Sequence, residues 1–262
     1  MGSGFCTESM PRRNYFDLIR AMVVSDFRLR YQGSLLGFFW ALLRPLLMYT
    51  VLYVVFARFV RFPIANYQLY LLLGVIFWNF FSEATNSSIV HLFGKAGLMK
   101  KVNFPRIIII FSSTLIAFLN FCLNILVFSL FFLFSRLSFH WVLFFEIFFV
   151  LEFLILSFGV SLFLASLSSK FKDLIHLWDI ILQALFWLTP IVYSTSMIPD
   201  RYSWLIKINP IAQLIGYSRD LILYGQLPTL LQMALVTGLT LVILVIGYLV
   251  FSSRQHRFIE EL

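Results

Sequence analysis

Six long apolar stretches constrain this chain more than any other feature of its sequence. A helix needs about 20 residues to cross a bilayer core of about 30 Å, because each residue advances it by about 1.5 Å. The stretches that reach this length are 35–57, 67–90, 107–134, 139–167, 174–193 and 228–251. Of the 262 residues, 61% are hydrophobic and only 12% are charged, which leaves too few polar side chains for a water-soluble surface. We therefore predict an all-α membrane protein with six transmembrane helices in a single membrane domain, 14–262.

The distribution of basic residues predicts how these helices are oriented. An even number of spans places both termini on one side of the membrane, and Lys and Arg in short loops are retained in the cytoplasm. Most of the 20 Lys and Arg residues lie in the two terminal segments and in the loops after the second and fourth spans, which share that side. Both termini are therefore expected in the cytoplasm. The net charge of +8 is divided among clusters beside apolar runs, which favours lipid headgroups over nucleic acid as a partner.

Three segments outside the spans have their own character. Residues 1–13 match no structural pattern and are expected to be a disordered tail or residues added to the natural sequence. In 14–32, apolar residues recur at helical spacing, which predicts an amphipathic helix in the cytoplasmic interface or a soluble helix packed on a partner. Residues 194–227 are too apolar for a flexible external loop. They are expected to form two short helices that re-enter the outer leaflet or the protein.

Charged residues inside the predicted spans need an explanation. Arg44, Glu83, Glu152 and Asp179 lie there, and a charge within the bilayer costs a few kcal/mol, so each is expected to have a partner or to lie at a helix end. Motifs of catalysis are absent: the sequence has no G-x-x-x-x-G-K-[ST] phosphate loop, no H-E-x-x-H and no G-x-S-x-G. Its four histidines are scattered over different segments, and no metal site is expected.

Several short motifs resemble one family. They occur in the family's order and spacing, and they are RYQGSLLGFFWALLRPLL (30–47), KKVNFPR (100–106), FKDL (171–174), FWLTPIVYS (186–194) and INP (208–210). Together they are similar to the motifs of the membrane subunits of bacterial ABC transporters that export polysaccharides. The sequence departs from the family at Lys172, where the family has Arg.

The resemblance implies a permease without an ATPase site of its own. Such a permease works as a homodimer with two separate ATPase subunits, which use ATP and magnesium, and this chain binds no cofactor. Its substrate would be a lipid-linked glycan of the undecaprenyl-pyrophosphate type, with O-antigen expected and capsular polysaccharide or teichoic acid as alternatives. The expected location is the bacterial inner membrane.

Residues 94–105 receive a role from the same resemblance. They form a short basic segment between two apolar stretches. In this family the corresponding segment contacts the ATPase and transmits the motion of the ATPase to the spans. An ordinary basic cytoplasmic loop is the alternative. The residues expected to couple to the ATPase are Gly94, Lys95, Gly97, Lys100, Lys101, Asn103, Pro105 and Arg106.

The resemblance also implies a channel between protomers. Aromatic side chains suit the lining of such a channel, because the apolar faces of sugars can slide along their rings. Arg44 is expected to bind an anionic group of the substrate. The other candidate channel residues are Phe39, Trp40, Tyr49, Tyr53, Trp78, Phe81, Trp187 and Tyr193, although such residues also collect at membrane interfaces. Residues 194–227 are expected to close the channel outside or only to anchor the dimer. The candidate gate residues are Met197, Ile198, Trp204, Ile208, Pro210 and Ile211.

Two other functional classes remain open on the sequence alone. A secondary transporter would use Glu83, Glu152 and Asp179 to couple transport to protons. A membrane-embedded transferase would act directly on lipid-linked sugars. Lack of a catalytic carboxylate pair counts against the transferase, and lack of visible inverted repeats counts against the secondary transporter.

Overall fold

The computed structural model of the chain describes residues 14–31, 37, 39–102, 104–135, 137–171 and 173–255. These residues form a helical bundle, and the described part contains no strand. Its helices are α1 (Asn14–Tyr31), α2 (Phe39–Tyr53), α3 (Tyr67–Gly94), α4 (Ala96–Lys101), α5 (Ile107–Phe134), α6 (Glu146–Ser168), α7 (Leu174–Leu188), α8 (Ser203–Ile208), α9 (Pro210–Tyr224) and α10 (Leu230–Arg254). A π-helical segment, Val54–Val60, extends α2.

Within the described residues, four helical segments have the length and the apolar composition needed to cross a membrane. They are Phe39–Val60, Ile107–Phe134, Trp141–Ser168 and Leu230–Arg254. Helix α3 is also 28 residues long, but it is less apolar because polar side chains occupy its second half. Helix α7 is apolar but short. It ends at Leu188, and Thr189–Tyr193 form turns, so the predicted fifth span, 174–193, extends beyond the helix.

Helix α3 lies at the centre of the bundle. It packs against α2, α5, α6, α7 and α9, and most of its side chains are buried. Aromatic rings fill the space around it: the ring centroid of Phe77 lies 5.1 Å from that of Phe121 and 5.0 Å from that of Phe153. A helix enclosed by protein can carry polar residues that a lipid-facing helix cannot. The polar half of α3 is therefore where this fold can place a hydrophilic site.

Helices α6 and α10 cross closely at two glycines, whose lack of a side chain lets the two backbones approach each other. A Cβ atom on Gly159 would lie 2.8 Å from Cα of Leu244, and one on Gly247 would overlap the carbonyl oxygen of Gly159. Small residues let two backbones approach in this way, and such contacts drive helix association in membranes.

We expect Gly247→Val to separate α6 from α10 and to destabilise the protein. The added side chain has no space, because the backbone of the neighbouring helix occupies it. Gly238→Val on the same helix is the matched control, since no neighbouring atom lies within 4 Å of the place that its Cβ would take. The melting temperature of the purified protein in detergent should fall for Gly247→Val and stay near the parent value for Gly238→Val. Equal melting temperatures would show that the crossing is not needed for stability.

Candidate functional site

A polar cavity of about 600 Å³ lies between α2, α3 and α5, next to the end of α1. Its apolar lining includes Trp40, Ile76, Phe80 and Phe121. Its polar lining consists of Arg30, Arg44, Asn79, Ser82, Glu83, Asn86, Ser87, His91, Asn120 and Asn124. Except for Asn79, the α3 residues of this set belong to its polar second half, so the cavity explains why a central helix of a membrane protein carries them.

Glu83 is the centre of the polar network in the cavity. Its Oε1 atom pairs with the Arg30 guanidinium of α1 and accepts a hydrogen bond of 2.7 Å from Nδ2 of Asn120 on α5. One turn further along α3, Nδ2 of Asn86 donates to Oδ1 of Asp179 on α7 at 2.9 Å. The network thus joins α1, α3, α5 and α7. It contains the partners that we expected for the charged side chains of Glu83 and Asp179.

Glu152 has a different environment from these two carboxylates. It is buried in α6, and no ion pair among the described residues includes it. Its neighbours include the hydroxyl groups of Thr237 and Thr240 on α10. Its side chain therefore belongs to the α6–α10 interface and not to the cavity.

Arg44 of α2 is the second arginine in the cavity lining. Its side chain is exposed, and it makes no hydrogen bond or ion pair with any residue that the structure describes. Arg30, in contrast, has its charge matched by Glu83. A cation without an anionic partner, placed between apolar helices, is a suitable binding group for an anionic ligand.

A second charged cluster lies at the end of α3 beyond the cavity. The carboxylate of Asp26 on α1 pairs with Nζ of Lys95, and its Oδ2 atom lies 3.5 Å from Nδ1 of His91. Lys95 separates α3 from α4. A buried apolar cluster, the α1–α4 cluster, lies beside this pair and includes Met22, Leu92, Met99, Phe104 and Ile108.

At the opposite end of the bundle, Arg219 of α9 is almost completely buried, with 2% of its surface exposed. Its guanidinium donates to three backbone carbonyl oxygens: to that of Tyr70 at 3.0 Å, of Pro190 at 2.6 Å and of Ile191 at 2.7 Å. It also stacks over the Tyr70 ring, 3.5 Å from the centroid, and occupies the space beside Gly74. These contacts fasten α9 to α3 and to the turn after α7.

The sequence of the chain matches known transport proteins. Residues 17–223 match the family described as ABC-2 type transporter. The chain belongs to the ABC-2 type transporter family. This match covers more than half of the chain and confirms the resemblance that the motifs indicated.

Relatives in the ABC-2 family match over nearly their whole length. An O-antigen export system permease protein RfbA from Klebsiella pneumoniae is 32% identical over 94% of this chain and 95% of its own length. A protein of the same name from Myxococcus xanthus is 26% identical over 95% of this chain and 96% of its own length. A polysialic acid transport protein KpsM from Escherichia coli is 22% identical over 93% of this chain and 95% of its own length.

The aromatic residues that we predicted for the channel fall into three groups. Trp40 lines the cavity, and the side chains of Phe39 and Trp187 are exposed. Trp78 and Phe81 are instead buried in the core, where the Trp78 ring packs against Phe186. The remaining three, Tyr49, Tyr53 and Tyr193, are buried or half-buried, and the rings of Tyr49 and Tyr53 stack at 5.8 Å. Hydropathy could not separate these groups, because an aromatic ring suits lipid, core and cavity equally.

The predicted coupling residues surround α4. Gly94 and Gly97 are exposed, Pro105 is exposed before α5, and Arg106 precedes the first turn of that helix. Lys95 is instead paired with Asp26 inside the protein. Lys100 and Lys101 belong to α4, although their side chains are not described, and Asn103 lies outside the described residues.

The predicted gate residues are also divided by the structure. Met197, Trp204 and Ile208 are exposed, Ile198 and Pro210 are half-buried, and Pro210 begins α9. Ile211 is instead buried in the main core. Arg219 lies in the same segment, 194–227, but it is buried and its guanidinium donates to backbone carbonyl oxygens.

Sequence reasoning missed Asp26 and the role of Arg30. The two residues are four positions apart on α1, so they lie on the same side of that helix. This spacing was a usable signal, because it places an acid and a base where each can reach a neighbouring helix.

Proposed function

We propose that this protein is the permease subunit of an ATP-driven exporter, which moves a lipid-linked polysaccharide of the O-antigen class across the bacterial inner membrane. The observation that carries the proposal is the polar cavity, which holds Arg44 without an anionic partner among the described residues, between helices of membrane-spanning length. The similarity to O-antigen export permeases supports the substrate class. The KpsM relatives, which are less similar, support a capsular polysaccharide as the second candidate.

The chemistry of the cavity suits such a substrate. Arg44 offers a cation to the phosphate groups of a lipid carrier, and arginine binds phosphate well because its donors form a planar fork. Asn79 offers an amide group that can exchange hydrogen bonds with sugar hydroxyls, and Oδ1 of Asn124 can accept one. Trp40 adds an apolar ring against which a sugar can slide.

In the proposed topology α2, α3, α5, α6, α7 and α10 cross the membrane, and both termini are cytoplasmic. Helix α1 lies in the cytoplasmic interface, and α8 and α9 re-enter the membrane from outside. Two copies of the chain form the channel, and α4 contacts one of two separate ATPase subunits. The exposed side chains of Trp204 and Ile208 then contribute to the external seal.

We expect cysteine labelling from outside the cell to follow this topology. Cysteines introduced at Ser138 and Ser203 should react with a membrane-impermeant maleimide, and a cysteine at Ser253 should not. The native residues Cys6 and Cys122 are first replaced by serine. External labelling at Ser253 would contradict the orientation.

The functional proposal is tested in inverted membrane vesicles that contain the protein and its cognate ATPase subunit. Lipid-linked O-antigen should enter the vesicle lumen when ATP is added, and an ATPase variant that cannot hydrolyse ATP should abolish this transport. A proton gradient without ATP should have no effect. Transport driven by the gradient alone would instead support a secondary transporter, and turnover of the glycan in detergent would support a transferase.

A further inference from the structure

Helix α1 connects the start of α4 to the polar cavity through two ion pairs. Asp26 pairs with Lys95, and Arg30, one turn later, pairs with Glu83 in the cavity. On α3 the two partners are separated by about 18 Å, at 1.5 Å per residue, whereas Asp26 and Arg30 are separated by about 6 Å. The long side chains of Lys95 and Arg30 cover the difference, so one short section of α1 reaches both places.

The Asp26 pair is placed where a movement of α4 would reach it first. Lys95 is the residue between α3 and α4, and its backbone carbonyl accepts a hydrogen bond of 3.1 Å from the N–H group of Met99 in α4. The side chain of Met99 is buried in the α1–α4 cluster together with Met22 of α1. A close-packed apolar cluster beside an ion pair transmits displacement, because neither can be stretched without losing contacts.

The Arg30 pair lies where such a displacement would change the cavity. Its guanidinium and the carboxylate of Glu83 both line the cavity, as does His91, which also lies beside Asp26. While Arg30 is bound to Glu83, the two charges compensate each other. A movement of α1 relative to α3 would separate Arg30 from Glu83, which would leave both charges uncompensated in the cavity and change its opening.

We propose that α1 acts as a lever that transmits the motion of the coupling segment to the cavity. The movement of α4 acts on α1 through the Asp26–Lys95 pair, and α1 acts on the cavity through the Arg30–Glu83 pair. This inference rests on the proposed function, because an ATPase subunit must move α4. Asp26 and Lys95 are positioning residues in this account, and they need not touch the substrate.

The experiment measures how accessible the cavity is in the assembled complex. A cysteine replaces Ser82, which lines the cavity, in a background without Cys6 and Cys122. Its reaction rate with a charged maleimide, added to the cytoplasmic face of vesicles, is compared with and without ATP. Coupling between two sites usually amounts to a factor of about 5 or more, so we expect ATP to change the rate by at least about fivefold.

Asp26→Asn should abolish this ATP-dependent change, while the complex still assembles and hydrolyses ATP. The charge-swapped pair, Asp26→Lys with Lys95→Asp, should restore part of it. Asp17→Asn is the matched control, because Asp17 lies on the same helix, is exposed and has no ion pair in the described structure; it should behave like the parent.

Each contrary result has a distinct meaning. If Asp26→Asn keeps the parent's ATP-dependent change, or if the parent has none, the lever is overturned while ATP-driven export can still be observed. If the Asp26→Asn complex fails to assemble, the charge-swapped variant is the test. A charge-swapped complex that assembles but shows no ATP-dependent change in labelling rate overturns the lever. If the parent complex exports no glycan with ATP, the proposed function itself fails.

Discussion

Arg219→Met is expected to destabilise the protein more than any other single change to its charged residues. The substitution removes three hydrogen bonds from a charged donor, each of which contributes about 1.5–3 kcal/mol, and leaves three carbonyl acceptors without this partner. Even if the protein relaxes, we expect a loss of at least about 3 kcal/mol. For a protein of this size that corresponds to a fall of about 6–12 °C in melting temperature, at 2–4 °C per kcal/mol.

The control for Arg219 is Arg201→Met. Arg201 lies in the same segment, 194–227, but its side chain is exposed, and it makes a cation–π contact with the neighbouring Tyr202 at 5.9 Å. Its replacement should leave the melting temperature in detergent almost unchanged. Arg219→Lys should be nearly as damaging as Arg219→Met, since a single ammonium group cannot reproduce the planar fork that reaches three carbonyl groups. A melting temperature for Arg219→Met close to that of Arg201→Met would contradict this account.

Arg44→Gln is expected to reduce ATP-driven export by about tenfold or more, because a charge-assisted hydrogen bond contributes about 1.5–3 kcal/mol and 1.4 kcal/mol corresponds to a factor of ten. The substitution removes the positive charge from the cavity, and the proposed ligand of that charge is the phosphate of the lipid carrier. It breaks no internal hydrogen bond or ion pair with the described residues, so folding and assembly should be unaffected. The measurement is the initial rate of glycan entry into inverted vesicles at fixed amounts of complex.

Two comparisons identify the reason for that loss. Arg44→Lys should retain much of the export rate, because it keeps the charge. Arg58→Gln removes an arginine from the π-helical extension of α2, outside the cavity, and should export at the parent rate. If Arg44→Gln exports as fast as Arg58→Gln, the anionic group of the substrate binds elsewhere, and Arg30 becomes the next candidate.

Local sequence was sufficient for several conclusions. The apolar stretches predicted an all-helical membrane protein, and four of the helical segments in the structure have spanning length and composition. The motifs, above all 30–47 and 100–106, indicated the family that the comparison confirmed. Both results depend on properties of contiguous residues, since hydropathy over about 20 positions is decided within one helix.

The partners of the polar residues depended on tertiary structure. Arg30 and Glu83 are 53 positions apart, and Asp26 and Lys95 are 69 apart, so no local pattern joins them. Within one apolar stretch, a charged or aromatic side chain can face lipid, a cavity or a neighbouring helix, depending on how the helix is rotated and what packs against it. Arg219 illustrates this, because the backbone that surrounds it comes from α3 and from the turn after α7. The sequence by itself determined that the chain forms membrane helices of this family, while helix packing decided which polar groups build the cavity and which hold the bundle together.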